Sequence, residues 1–268
     1  MSKTKIEVII YPGLKLSEQK QKVLIKELYG VASTCFDEVP SYQVLSGNKE
    51  DLDRAVIALA RNNAGKVIGF CSALIFDIKN VGKVFHTGLT CVSPEARGLK
   101  LTHKLTSKVL LKFLMVESPL KSVWISNCAC VLSSIGNVAK YFEKVYPSPF
   151  NQEAPSVNHL FIAKEISDKY RSQIAINETA YFDENKFVFE GSVSDTVFQK
   201  NSDDKRFHHR DIGLTNFYKS LLNFDRGDEV LQIGQVSLFT FPKYIIKQMS
   251  RKIKQKPKFE EEAGLYVG

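Results

Sequence analysis

Residues 90–105 read TCVSPEARGLKLTHKL, and what lies on either side of Gly98 decides the fold. The run VFHTGLTCV is apolar and rich in β-branched side chains, which predicts a strand over 84–92. Ser93-Pro94 ends it. After Gly98, Leu101, Leu105, Val109, Phe113 and Val116 recur near every fourth residue, the spacing of a buried helix face, and Pro119 closes that helix. A glycine at such a junction lets another molecule approach the backbone. The free N–H groups of the first helical turn face outward, with the positive end of the helix dipole behind them. That arrangement suits an anion, a phosphate or diphosphate above all, and Arg97, Lys100 and Lys104 add cations to it.

Working outward, KIEVIIY (5–11) predicts a first strand, and Ser17 caps a helix with Leu24, Ile25, Leu28, Val31 and Ala32 on its apolar face. Pro40 breaks CFDEVPSYQ (35–43) into a loop. AVIALAR (55–61) and VIGFCSALIFDI (67–78) form a hairpin through the turn NNAGK, and KNVGK (79–83) turns the chain again. The strand 84–92 is thus the third of a meander. SVWISNC (122–128) predicts a further strand, NVAKYFEKVY (137–146) a helix capped by Ser133 or Ser134, and VNHLFIA (157–163) one more strand. The order β, α, β-β-β, α, β, α, β is an α/β layout, with helices packed on a mixed sheet. Residues 178–211 are polar and irregular. After them, 214–223 predicts a helix, 230–240 a strand and 243–254 a basic amphipathic helix.

Composition bounds the rest. The 268 residues are 44% hydrophobic and 25% charged, enough for a buried core in one large domain or one domain plus a smaller one. No apolar run approaches roughly 18 residues, so no transmembrane helix is expected, and MSKTKIEVIIYPG reads as a strand rather than a signal peptide. The five cysteines (35, 71, 91, 128, 130) are odd in number and lack zinc-ligand spacing, which predicts reduced thiols in a cytoplasmic protein. His208 and His209 are adjacent and point apart, with no third ligand spaced to help, so no metal is expected. The net charge is +8, much of it between Lys243 and Lys258. That run is a solvated helix face, or a contact for nucleic acid or an anionic membrane.

The segment Val92-Ser93-Pro94-Glu95-Ala96-Arg97-Gly98-Leu99-Lys100-Leu101-Thr102 resembles the coenzyme-binding motif of the GNAT (GCN5-related) N-acetyltransferase superfamily. There a strand ending in Val is followed by roughly P-E-Y-R-G-x-G-x-G/A and a helix. Gly98 fits, Lys100 stands at the second glycine and Thr102 at the third small residue. The helix and meander before the motif, and the β-α-β after it, extend the resemblance over about residues 5–165. NVAKYFEKVYP (137–147) resembles a later family segment, with a change of spacing and without its Gly-Phe.

The resemblance implies a mixed, mostly antiparallel sheet flanked by helices over 1–165. Residues 166–268 are then an α+β extension that completes or covers the acceptor side. It implies acetyl-CoA as co-substrate and an amine-bearing small molecule or protein as acceptor. Cys91, Val92 and residues Arg97, Gly98, Leu99, Lys100, Leu101 and Thr102 become the coenzyme contacts, with a backbone N–H of Cys91 or Val92 facing the oxyanion. Asn127 is either a pantetheine contact or the polar end of a strand. His86, which shares one side of the alternating strand with Gly88, Thr90 and Val92, is either a general base or a half-buried histidine bonded to a neighbour. Tyr141 is either the acid that protonates the thiolate or a core-facing tyrosine, with Phe142 as a rival for its place and Tyr146 as a fallback. Asp37 and Glu38 either hold a cationic acceptor or sit in a solvated loop. A catalytically inactive acyl-CoA-binding or scaffold protein of the same fold is the alternative.

Overall fold

In the computed structural model of the chain, residues 4–151 and 153–239 are described. The apolar periodicities settle into β1 (Lys5–Ile10), α1 (Pro12–Lys15), α2 (Glu18–Ala32), α3 (Lys49–Arg54), β2 (Ala55–Arg61), β3 (Val67–Ile78) and β4 (Gly82–Val92). They continue as α4 (Leu101–Glu117), β5 (Val123–Ala129), α5 (Leu132–Tyr141), β6 (Glu143–Tyr146) and α6 (Val157–Lys169). The order ends with β7 (Tyr181–Asp183), β8 (Val188–Glu190), α7 (Ile212–Leu221) and β9 (Glu229–Val236). The basic run 243–258 lies outside the described residues.

One sheet runs β1-β2-β3-β4-β5-β9-β8-β7, with β6 also pairing β9. Every neighbouring pair is antiparallel except β4 and β5, which are parallel. The fold is therefore α/β with a mixed, mostly antiparallel sheet. β9, from beyond residue 166, lies directly beside β5, in register from Val123↔Val236 to Ala129↔Val230.

Alternation along the strands gives the sheet two apolar faces. Ala55, Ile57 and Leu59 of β2 pack with Leu24, Leu28 and Val31 of α2 and with Ile162 and Ile166 of α6. Val56, Ala58 and Ala60 face the other way, with Leu105, Val109 and Phe113 of α4. A third cluster joins Ile135 of α5, Leu214 and Tyr218 of α7, and Val230 of β9.

Two sequence expectations are corrected. Residues 157–163 form the first half of α6 rather than a strand. His159, Ile162, Ala163 and Ile166 are buried at helical spacing, while Val157 is 82% exposed. Ser156 starts the helix with a reciprocal cap: its Oγ accepts from the His159 N–H, and its own N–H donates to His159 Nδ1 (3.2 Å). Ser156→Ala should lower stability by about 1 kcal/mol, read from urea unfolding midpoints. The helix expected over 137–146 instead covers Leu132–Tyr141. Phe142 is extended, and the chain then pairs with β9 as β6.

Candidate active site

The parallel pair is short. β4 and β5 meet only at Val84↔Trp124, Phe85↔Ile125 and His86↔Ser126. Past that point β5 follows β9, while β4 follows β3 through a bulge: Ala73 opposes Thr87 and Cys71 opposes Thr90, so Ser72 faces both Gly88 and Leu89. Thr87 Oγ1 still reaches Asn127 Oδ1 (2.5 Å) across the gap. Beyond it the strands part, and a cavity of about 530 Å3 opens between them, α4 and α5. Thr87 to Thr90 form one wall, Thr102 and Thr106 of α4 a second, and Ser134, Asn137 and Tyr141 of α5 a third. Gly88 is required at the bulge, because an added Cβ would lie 2.1 Å from Gln43 Oε1 and 2.7 Å from the Ser72 carbonyl.

The bulge corrects the placement of His86. Val84 belongs to the α2 face of the sheet and Phe85 to the α4 face. After the extra residue, Leu89 and Cys91 are on the α2 face and Val92 on the α4 face. His86 and Val92 therefore do not share a side. His86 is completely buried, against Phe76 (ring centroids 5.2 Å) and with Nδ1 2.9 Å from Ser126 Oγ. Burial pushes its pKa down to about 3, its Nε2 has no hydrogen-bond partner, and it is not on the cavity wall. The geometry takes it out of the role of base.

Two left-handed residues lead into α4. Gly98 has φ 91° and Lys100 φ 57°, so the lysine occupies a left-handed position that a glycine would take without strain. No side chain caps α4, and its first turn carries no acid. Arg97, Gly98, Leu99 and Lys100 are exposed, and a Cβ added at Gly98 would meet nothing within 4 Å. Thr102 is exposed and reaches the cavity. Leu101 is buried in the core, so any ligand contact it makes runs through its backbone. The same holds for Cys91, whose side chain lies in the core on the α2 face. The Val92 carbonyl accepts from Cys35 Sγ (3.5 Å). Asn127 lines the cavity and is held on both sides: its Oδ1 accepts from Thr87, and its Nδ2 donates to Gln232 Oε1 (3.2 Å).

Tyr141 stands on the cavity wall, as does Phe142. Tyr146 does not, and its hydroxyl donates to the Asn185 carbonyl (3.1 Å). Asp37 and Glu38 are exposed and off the wall. His209 packs its ring against Gly136, and its Nδ1 accepts from the Asp211 N–H (3.0 Å). His208 Nε2 lies 2.7 Å from the Ser202 carbonyl. Among the described residues no group of three or more His, Cys, Asp or Glu is placed to hold a metal ion. No described helix is long and apolar enough to cross a membrane.

Among the cavity residues that sequence reasoning passed over are Tyr42, Lys200 and Glu229. Glu229 opens β9 and is 8% exposed. Its Oε2 accepts from Ser192 Oγ (2.6 Å), with Cys128 Sγ 3.8 Å away. Burial raises its pKa to about 7, against the opposing effects of Ser192, Cys128 and Lys200. Burial, together with Glu229 nearby, pushes the Tyr42 phenol and the Cys128 thiol well up. Burial lowers the pKa of Lys200. The one local signal for Glu229 is a pair of carboxylates, Asp228-Glu229, at the head of an apolar run.

No protein-family model matches the sequence, and no curated protein sequence does. Among solved structures, the chain is similar to the aminoglycoside N-acetyltransferase AAC(6')-Iy in complex with CoA. Identity is 20% and the TM-score 0.31, over 42% of this chain and 70% of that one. It is similar to a GCN5-related glucosamine N-acetyltransferase region of a fungal multi-domain β-N-acetylglucosaminidase, at 14% identity and TM-score 0.30, over 47% of this chain and 14% of that one. A third is a ribosomal-protein-alanine N-acetyltransferase from Brucella melitensis biovar Abortus 2308, at 16% identity and TM-score 0.31, over 43% of this chain and 76% of that one. α2 enters a three-stranded meander, α4 leaves β4 at a glycine, and the parallel β4–β5 pair is flanked by α4 and α5 in a mixed, mostly antiparallel α/β fold.

Proposed function

We propose that this chain is an acyl-CoA-dependent N-acyltransferase that moves an acetyl group from acetyl-CoA to a primary amine by direct attack. One observation carries the reading: β4 and β5 part after three paired residues, beside the uncapped, glycine-led start of α4. Acetyl-CoA supplies a thioester whose acyl group an amine can accept. The amides from Gly98 to Thr102, with Arg97 and Lys100, bind its diphosphate. The edge of β4 that β5 leaves offers amides and carbonyls to the pantetheine arm.

Glu229 receives the proton that the ammonium must lose. A carboxylate with a pKa near 7 is a stronger base than an exposed one and is still substantially ionised at neutral pH. Tyr141, on the α5 wall, donates a proton to the departing thiolate. Ile174, Val193, Phe198 and Lys200, from the segment between β6 and β9, close the acceptor side.

Tyr141→Phe should lower kcat by about 10- to 100-fold and move the KM for acetyl-CoA less than about twofold, measured as thiol release at saturating amine. An unchanged kcat would assign that proton to water. Coenzyme binding with no thiol release over a broad amine panel would make the chain a binding protein of the same fold.

A further inference from the structure

The acyltransferase reading leaves the amine unnamed, and the acceptor end of the cavity has a definite chemistry. Phe36 and Tyr42, from the α2–α3 connection, meet Phe198, from the 178–211 excursion, edge-on. The ring centroids are 6.1 Å apart for Phe36–Phe198 and 5.3 Å for Tyr42–Phe198. Tyr42 is fixed from behind: its hydroxyl accepts from Gln43 Nε2 (2.9 Å), and Gln43 Oε1 accepts from Ser72 Oγ (3.1 Å). Glu229 is the single carboxylate among the described residues on the cavity wall. The lysine on the wall, Lys200, donates to the Val197 and Gln199 carbonyls (2.7 and 3.2 Å) and lies over the Phe207 ring.

A primary ammonium entering such a space needs a counter-charge, because an unpaired buried charge is strongly disfavoured. Glu229 supplies one. A second ammonium on the same ligand would find no other carboxylate on the wall and a lysine already there. Three rings in edge contact favour a flat apolar body. A peptide acceptor needs polar partners for its backbone, and this end of the cavity is aromatic. We infer that the acceptor is a monoamine with a flat, aromatic-sized apolar body, its ammonium on Glu229 and its ring against the wall that Phe36, Tyr42 and Phe198 form. The inference rests on the acyltransferase reading for its chemistry and on the cavity alone for its binding.

The test is calorimetric titration of the full chain near pH 8 with 2-phenylethylamine, 1,5-diaminopentane and the tripeptide Ala-Gly-Gly, and separately with CoA. 2-Phenylethylamine should bind at least about tenfold more tightly than the other two amines. Phe198→Ala should remove about tenfold of that affinity, with the CoA titration unchanged. Phe198→Leu, which keeps most of the packing, should give a smaller loss in the same direction. Diaminopentane or the tripeptide binding as well as 2-phenylethylamine overturns the inference, as does an affinity indifferent to both substitutions. CoA binding without 2-phenylethylamine binding sinks the inference and leaves the transferase reading standing. The reverse keeps the pocket and removes the transferase. Silence in every titration removes both.

Discussion

Gly98→Asp should weaken CoA binding by about thirtyfold or more, a loss near 2 kcal/mol, in a protein that still folds. The fold survives because the position is open: an added Cβ meets nothing within 4 Å, and Asp tolerates the left-handed φ of 91° better than most side chains. Binding is lost because the new carboxylate sits at the start of α4, where no cap and no acid now stand. There, two residues before the N-cap, it places a negative charge beside the free amides and repels a diphosphate. Calorimetry with CoA on both proteins, beside their thermal midpoints, reads the result. Midpoints within a few degrees and a collapsed affinity place the diphosphate on this turn. Equal CoA affinity in the two proteins would show that the turn binds nothing, and the acyltransferase reading would go with it. Gly98→Ala separates charge from backbone strain, since it shares the strain and lacks the carboxylate.

The residues that set this turn were legible because their signals are local. An apolar β-branched run, a Ser-Pro stop, a glycine and a four-residue apolar repeat each act within a few positions, and β4, Gly98 and α4 followed from them. The faces of β4 were not legible, because one extra residue opposite Ser72 reverses every side chain beyond it. Gly88 was the trace of that event in the sequence, a small residue where Gln43 packs onto the strand. VNHLFIA is short enough to satisfy either period, and the Ser156 cap before it decided for helix. Glu229 was beyond local reach. It comes beside Cys128 only because β9, about a hundred residues later in the chain, inserts between β5 and β8. Phe198 reaches the cavity from an excursion whose polar sequence carries no periodicity at all. The glycine-led turn before α4 was therefore readable from local signals, while the far wall of the cavity is a product of topology.

That topology gives Glu229→Gln two effects of opposite sign. As the proposed base, its loss should lower kcat by about 100- to 1,000-fold and remove the limb of the pH–rate profile that rises through about pH 7. As a buried carboxylate, its loss should stabilise the fold above neutrality. The pKa of Glu229 rises from an ordinary 4.5 to about 7 on folding, chiefly through burial, with the Ser192 and Cys128 contacts and Lys200 acting against it. Between those values the folded chain binds a proton that the unfolded chain has lost, so stability falls as pH rises through that window. At pH values above about 7 the destabilisation approaches about 3 kcal/mol, and at the acid end of the window it vanishes. Urea unfolding should accordingly show the variant more stable near pH 8 and nearly level with wild type near pH 4.5. A purely structural glutamate would give the stability pattern with kcat intact. A base whose carboxylate is not desolvated would give the rate loss with no stability gain. Only a desolvated, reacting carboxylate gives both, and a variant with unchanged kcat and an unchanged acid limb would take Glu229 out of the reaction.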